Sequence, residues 1–191
     1  MARPLSEDRR ASLLDAATKV FAEHGLSAPT ALISKTAEVS EGSFFTYFKT
    51  KDGMINALYR EIRLDLAYAV MDGFPRRGTV RERLEHIWAR YVSWGVANPV
   101  ARKTLKHLSI SSAITPAVRS EGGVLFAEVE RLQQDAAEQR KLVQLPPVMA
   151  SQGLKALAEM TMDLIENEPA QAKQLMAGGF QMLWGALTNK G

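Results

Sequence analysis

Ser40, Glu41, Gly42 and Ser43 stand directly ahead of Phe44, Phe45, Thr46, Tyr47 and Phe48, and Lys49 and Lys51 follow at once. Hydroxyls, a carboxylate, rings and ammonium groups at this spacing do binding chemistry: they meet base edges, hold phosphate oxygens and offer apolar surface. Side chains suited to covalent or proton-transfer work are scattered instead. The three histidines, His24, His86 and His107, lie far apart and fit no metal-ligand spacing. The chain has no cysteine, which excludes disulfides, thiolate metal sites and cysteine nucleophiles. It has no glycine-flanked serine elbow and no phosphate loop. The residues therefore predict no catalytic, cofactor or metal site. An all-α enzyme using Glu85-His86 or His107 for acid–base work is the rival reading, and nothing in the sequence positions a partner for either histidine.

The elements around this stretch explain how it would be presented. Ser40 caps a very short helix that cannot bury so many rings all round. Phe44 and Phe48, four apart, anchor its rear face, so Phe45, Thr46 and Tyr47 point outward, and Gly42 lets a partner's backbone come close. A preceding short helix follows Pro29 and runs through Ile33 to Ala37, its core face built from Ile33, Ala37 and Thr30. Two short helices and a three-residue turn form a helix-turn-helix, which sets the second helix in a DNA major groove about 12 Å wide with its N-terminal residues at the base edges. Upstream, Ser6 is a good N-cap with Glu7 and Asp8 behind it. Leu13, Leu14, Ala17, Val20 and Phe21 form one apolar stripe, and His24-Gly25 ends that helix.

At 191 residues, 46% hydrophobic and 24% charged, the chain reads as a globular protein with a sizeable core. No apolar run approaches the ~20 residues that span a bilayer. The start lacks the apolar stretch of a signal peptide, so the expected location is cytoplasmic, with no membrane partner. Net charge is +3 overall. Residues 1–51 carry seven Lys/Arg against six Asp/Glu, so nucleic-acid binding must come from placement of a few charges rather than bulk field. After Thr50, which caps a helix of about twenty residues through Met54, Leu58, Ile62, Leu66 and Val70, residues 72–78 read as a loop. Thr79-Val80-Arg81-Glu82 is a capping box opening a helix that stops at Asn98-Pro99. Further helices are expected over about 100–110, 116–142 (weak at Gly122-Gly123), 147–166 and 170–188. The fold class is all-α with about nine helices: a helix-turn-helix head at 1–51 and a body at 52–191, helix 52–71 linking them.

Residues 13–58 resemble the DNA-binding domain of the tetracycline-repressor (TetR-like) family of bacterial transcription regulators. The resemblance is carried by Leu14-Asp15-Ala16-Ala17 to Phe21-Ala22-Glu23-His24-Gly25, by Ile33 to Ala37-Glu38-Val39-Ser40, and by Glu41 through Phe48 to Asp52. It implies that Ser43 and Thr46 reach bases, that Ser40, Tyr47 and Lys51 hold phosphates, and that Thr30 sits near the DNA backbone. With Glu41, Gly42 and Phe45 these make up the candidate DNA-binding set. Ser40 has two roles open to it, phosphate contact and plain helix cap. Three positions depart from the family pattern. Phe45 replaces a frequent tyrosine, exchanging a phosphate bond for contact with a thymine methyl. Gly53 replaces an acidic residue, losing a capping-box partner for Thr50. Glu38 replaces the usual turn glycine.

For the body, the resemblance implies effector binding and pairing of subunits. Trp88, Tyr91, His107, Phe126 and Met160 are the candidate pocket residues, with plain core packing as the alternative for each. The last two helices, with Leu154, Leu157, Leu164, Leu175, Phe180, Leu183 and Leu187, suit a four-helix homodimer interface, Gly178, Gly179 and Gly185 permitting close approach. The expected function is a repressor that binds a palindromic operator as a dimer and is released by a small, largely apolar effector, the fourth helix acting as lever. A DNA-binding regulator without ligand response is the other alternative.

A left-handed Glu38 costs roughly 1 kcal/mol relative to glycine, and its charge faces the expected phosphates. Glu38→Gly should therefore raise the melting temperature or tighten DNA binding; thermal melts and anisotropy titrations that both remain unchanged would refute this.

Overall fold

Leu13, Leu14, Ala17, Val20 and Phe21 are all buried on one stripe of α1 (Glu7–His24), as the three- and four-residue spacing requires. A computed structural model describes residues 6–121, 128, 131–132, 134–135 and 146–188. Among these the chain is helical and without strands. After α1 come α2 (Thr30–Thr36), α3 (Glu41–Phe48), α4 (Lys51–Met71), α5 (Val80–Ala97), α6 (Pro99–Ser109), α7 (Pro116–Ser120), α8 (Pro147–Asn167), a 3₁₀ turn (Pro169–Gln171) and α9 (Ala172–Leu187). No helix among the described residues is long and apolar enough to cross a membrane. Packing divides the chain into two units, Met1–Asp65 with Asn98–Glu121, and Leu66–Ala97 with Gly122–Gly191. The first unit thus gathers α1–α3, most of α4, and α6 and α7, which return to it from later in the chain.

In that unit α1 packs against α2 and α6. Two side chains of α6 hold carbonyls near the end of α1: the fully buried Thr104 hydroxyl donates to Thr18 O at 2.7 Å, and His107 donates from Nδ1 to Phe21 O at 3.1 Å. Since a carbonyl can only accept, the proton of His107 at this contact sits on Nδ1. Asn56, buried in α4, has both ends of its amide satisfied. Its Nδ2 donates to Asp52 O at 2.7 Å and to Ala113 O at 2.8 Å, while its Oδ1 accepts from Thr115 N at 3.0 Å. Thr115 in turn caps α7 through Val118 N. The Arg119 guanidinium donates to Ser109 O and Ser111 O at the end of α6, at 2.7 and 2.9 Å. Arg60 pairs with Glu121 through both nitrogens, at 2.7 and 2.8 Å, and holds that carboxylate below its usual range.

Two local expectations need correction here. Ser6 occupies the N-cap position of α1 but its side chain makes no cap bond; its backbone N–H donates to the Tyr47 hydroxyl instead. The helix expected over 116–142, weak at Gly122-Gly123, is interrupted after Ser120, where Glu121 adopts extended backbone one residue before the two glycines, and the described residues 128, 131–132 and 134–135 are again helical. Most of its remainder lies outside the described residues.

The second unit is built on α5, α8 and α9. The capping box at its entry forms as read from the sequence: Glu82 Oε2 accepts from Thr79 N at 2.7 Å and from its hydroxyl at 2.9 Å, and Glu82 N donates back to Thr79 Oγ1 at 3.2 Å. Side chains from α5 also finish α4, whose last carbonyls would otherwise lack donors. His86 donates from Nε2 to Val70 O at 2.9 Å, and Arg90 donates to Ala69 O at 3.0 Å and pairs with Asp72. Trp88, 1% exposed, donates from its indole to Met176 O at 3.0 Å. A Cβ at Gly179 would come within 2.5 Å of both Trp88 and Thr161 Oγ1, so glycine is what lets α9 close on α5 and α8. Among the described residues a Cβ at Gly178 or Gly185 would meet nothing within 4 Å.

Asn56→Ala takes the side-chain partner from the Ala113 carbonyl and the Thr115 amide, and should lower stability by about 1–3 kcal/mol, measured by denaturant unfolding. The amide and hydroxyl donations from Thr79 hold the Glu82 carboxylate below its ordinary value of 4.5. A depressed carboxylate contributes stability that is full above the ordinary value and fades as pH falls through the folded one. Glu82→Gln should therefore melt earlier than the parent at pH 7, and the gap should close on titrating to pH ~3.

Candidate nucleic-acid interface

α3 is held from behind and free in front. Phe44 is completely buried and Phe48 nearly so, their rings 5.9 Å apart, and the Arg10 guanidinium lies 5.8 Å from the Phe48 ring centre. Arg10 also pairs with Glu61 at 3.5 Å, joining α1 to α4 beside this anchor. Burial pushes the Glu61 carboxyl upward even with that partner. The opposite face of α3 is open: Phe45 is 46% exposed, resting edge-on against Phe44, and Thr46 is exposed.

Each member of the candidate set has a definite setting. Ser40 is the N-cap, its Oγ accepting from Ser43 N at 3.3 Å and lying 3.0 Å from Ser43 Oγ. Of its two open roles, the capping one is seen. Glu41 and Gly42 form the exposed first turn, and Glu41 Oε1 accepts from the Thr30 hydroxyl at 3.3 Å. Thr30 opens α2, so this bond ties the starts of the two short helices together. The Thr46 hydroxyl donates to Gly42 O at 2.8 Å. Tyr47, half-buried, accepts from Ser6 N at 2.9 Å and keeps its own phenolic proton for another acceptor. Lys51 lies half-buried at the start of α4, and the exposed Lys35 and Lys49 lie in α2 and just after α3. Ser43, Phe45, Thr46 and Tyr47 therefore share a short helix whose outward groups remain available.

The turn geometry bears on two departures from the family pattern. Glu38 adopts φ +55°, the left-handed conformation that favours glycine. Lys49, at φ +57°, is a second such residue. Its signal in the sequence is that Lys49 alone separates the Phe48 anchor from the Thr50 cap, which leaves no room for a relaxed reversal. Thr50 does cap α4, accepting from Gly53 N at 2.9 Å. A Cβ at Gly53 would stand 2.4 Å from Phe48 O, so its glycine accommodates the tight turn as well as lacking a capping-box carboxylate. Asn56 is the positioning residue that the sequence reading missed, because its partners lie 57 and 59 positions away.

The described candidate pocket residues are divided between the two units, His107 in the first and Trp88, Tyr91 and Met160 in the second. Trp88 lines an apolar cleft of about 320 Å³ between α5 and α9, with Ala89, Met176, Ala177 and Phe180, and with Glu85 and Lys173 as its charged members. Tyr91 packs half-buried against the core of the second unit, and Met160 is 40% exposed on α8. His107 belongs to the first unit, engaged with the α1 carbonyl of Phe21. Its placement follows from α6 packing on α1 rather than with the elements that carry Trp88. Phe126 lies outside the described residues.

Comparison with known proteins matches these elements. Residues 13–58 match the family described as bacterial regulatory proteins, tetR family. An uncharacterised HTH-type transcriptional regulator, YhgD of Bacillus subtilis (strain 168), is 38% identical over 56 residues, 29% of each chain. The fatty acid metabolism regulator protein of the same organism is 27% identical over 82 residues, 42% of each chain. The matched stretches thus span less than half the length of these curated relatives. Among solved structures, a putative tetR family transcription regulator from Shewanella sp. PV-4 superposes with a TM-score of 0.85 at 19% identity, covering 95% of this chain and 99% of that one, and so shares its fold. Residues 13–58 therefore form an amino-terminal domain of the tetR family of bacterial regulatory proteins, carried on a chain that shares the fold of that solved structure.

Proposed function

We propose that this regulator is a repressor that binds a palindromic operator as a homodimer and is released by a small, largely apolar effector. The observation that carries the DNA reading is the exposed leading edge of α3 on a helix locked from behind by Phe44 and Phe48. Ser43, Phe45 and Thr46 face the bases. Tyr47 and Lys51 hold phosphates, with Thr30 near the backbone, and their register is set by the phosphate contacts. Functionally the head is residues 1–51 and the body 52–191.

Dimerisation is supported by an apolar stripe that has no partner within the described residues. Met149, Met160 and Leu164 on α8, and Met182 between Gly178 and Gly185 on α9, are exposed or open at helical spacing. Two copies of this pair would bury the stripe as a four-helix interface and hold two α3 helices for two half-sites. The cleft beside Trp88 is the candidate effector site, its apolar walls suiting an apolar molecule. The fatty acid metabolism regulator protein, similar to this chain over 82 residues, is named for an apolar class of molecule, which accords with that chemistry.

The test is binding to duplexes from the promoter beside its own gene. The chain should run as a dimer by light scattering and shift one promoter fragment at moderate salt. Met182→Glu should give monomers and weaken that binding at least roughly tenfold, because the second half-site no longer assists the first. A monomeric parent, or equal binding to any sequence, would refute the proposal.

A further inference from the structure

α3 carries no arginine or lysine, so the commonest side-chain partners of guanine O6 and N7 are missing from it. What Thr46 and Glu41 offer instead is acceptors. The carbonyl of Gly42 can only accept, so its 2.8 Å bond to Thr46 consumes the sole hydroxyl proton of that residue and leaves oxygen lone pairs facing out. The Glu41 carboxylate, also exposed, is an acceptor at both oxygens. The Thr30 hydroxyl bonds Oε1 and leaves Oε2 free. Ser40 and Ser43 share one proton across 3.0 Å, so the pair retains a single hydroxyl proton for anything outside.

The major groove shows protein side chains a simple code: cytosine N4 and adenine N6 are donors, while guanine O6 and N7, adenine N7 and thymine O4 are acceptors. Acceptor facing acceptor leaves both groups desolvated and unpaired, which is the stronger half of discrimination. We propose that Thr46 and Glu41 are specificity-determining residues that select exocyclic amino groups, cytosine N4 or adenine N6, and exclude guanine edges from the positions they face. This rests on the operator reading above and adds the chemistry of the bases read. Phe45, exposed between them on the helix, supplies apolar surface for the methyl of a thymine.

The experiment uses the full chain. Duplexes with a randomised core are selected for binding, and the enriched duplex is rebuilt with single-group base analogues. Deleting the amino group of the adenine or cytosine facing Thr46, as purine or pyrimidin-2-one, should weaken binding about tenfold. Thr46→Val should bind both duplexes alike, and Thr46→Ser should restore the difference; thermal melts check that each variant folds. Placing 7-deazaguanine at guanines of the half-site should leave affinity unchanged. Glu41→Gln should move the preference at its position from cytosine toward adenine, since an amide adds the donor that adenine N7 needs. Loss of binding with 7-deazaguanine that vanishes in Thr46→Val, or an amino deletion felt equally by parent and Thr46→Val, overturns the assignment. Enrichment of no sequence at all overturns the operator reading itself and this assignment with it; it is a distinct result, because no selected duplex then exists to modify.

Discussion

The burial of Phe44 and Phe48 is the constraint on which the head depends. An eight-residue helix has little stability of its own, since nucleation is unfavourable and few internal bonds follow it. Two rings on one face, with the Arg10 side chain over the second, supply the tertiary burial that holds it. Having spent its apolar face in this way, α3 has no further core work for Phe45 and Thr46. Their exposure is thus a consequence of how the helix is secured.

The bonds at the margins of α3 belong to the same logic. Ser40 satisfies an N-terminal amide, Thr30 reaches across to Glu41, and Tyr47 takes the first amide of α1. Asn56 and Thr104 then fasten α4 and α6 to their neighbours through backbone groups rather than through other side chains. Buried polar side chains of this kind stabilise only when complete, because an orphaned carbonyl or amide in the interior loses its water without replacement.

Features set within a few residues were legible in the sequence. The Thr79–Glu82 capping box and the Thr50 cap follow from short spacing, and the structure has both, while the left-handed Glu38 follows from the family resemblance, which has glycine at that turn. The apolar stripe of α1 and the ring anchors of α3 were legible for the same reason, since helical period fixes which side chains share a face. Ser6 holds the N-cap position without a side-chain bond while its amide meets a tyrosine 41 positions away, and Asn56 was passed over because its partners are far along the chain. The bond of His107 to the Phe21 carbonyl was not legible, because it needs α6 to lie on α1. The end of α7 at Ser120 depended on Arg119 and Glu121 finding partners outside the helix, which periodicity does not report.

The exposed face of α3 has an evolutionary corollary. Substitutions at Phe45 or Thr46 remove little packing from the interior, so selection on them is nearly free of selection for folding. A lineage carrying this scaffold can drift toward new DNA targets one side chain at a time, each intermediate still folded, while Phe44 and Phe48 stay fixed by the interior they fill.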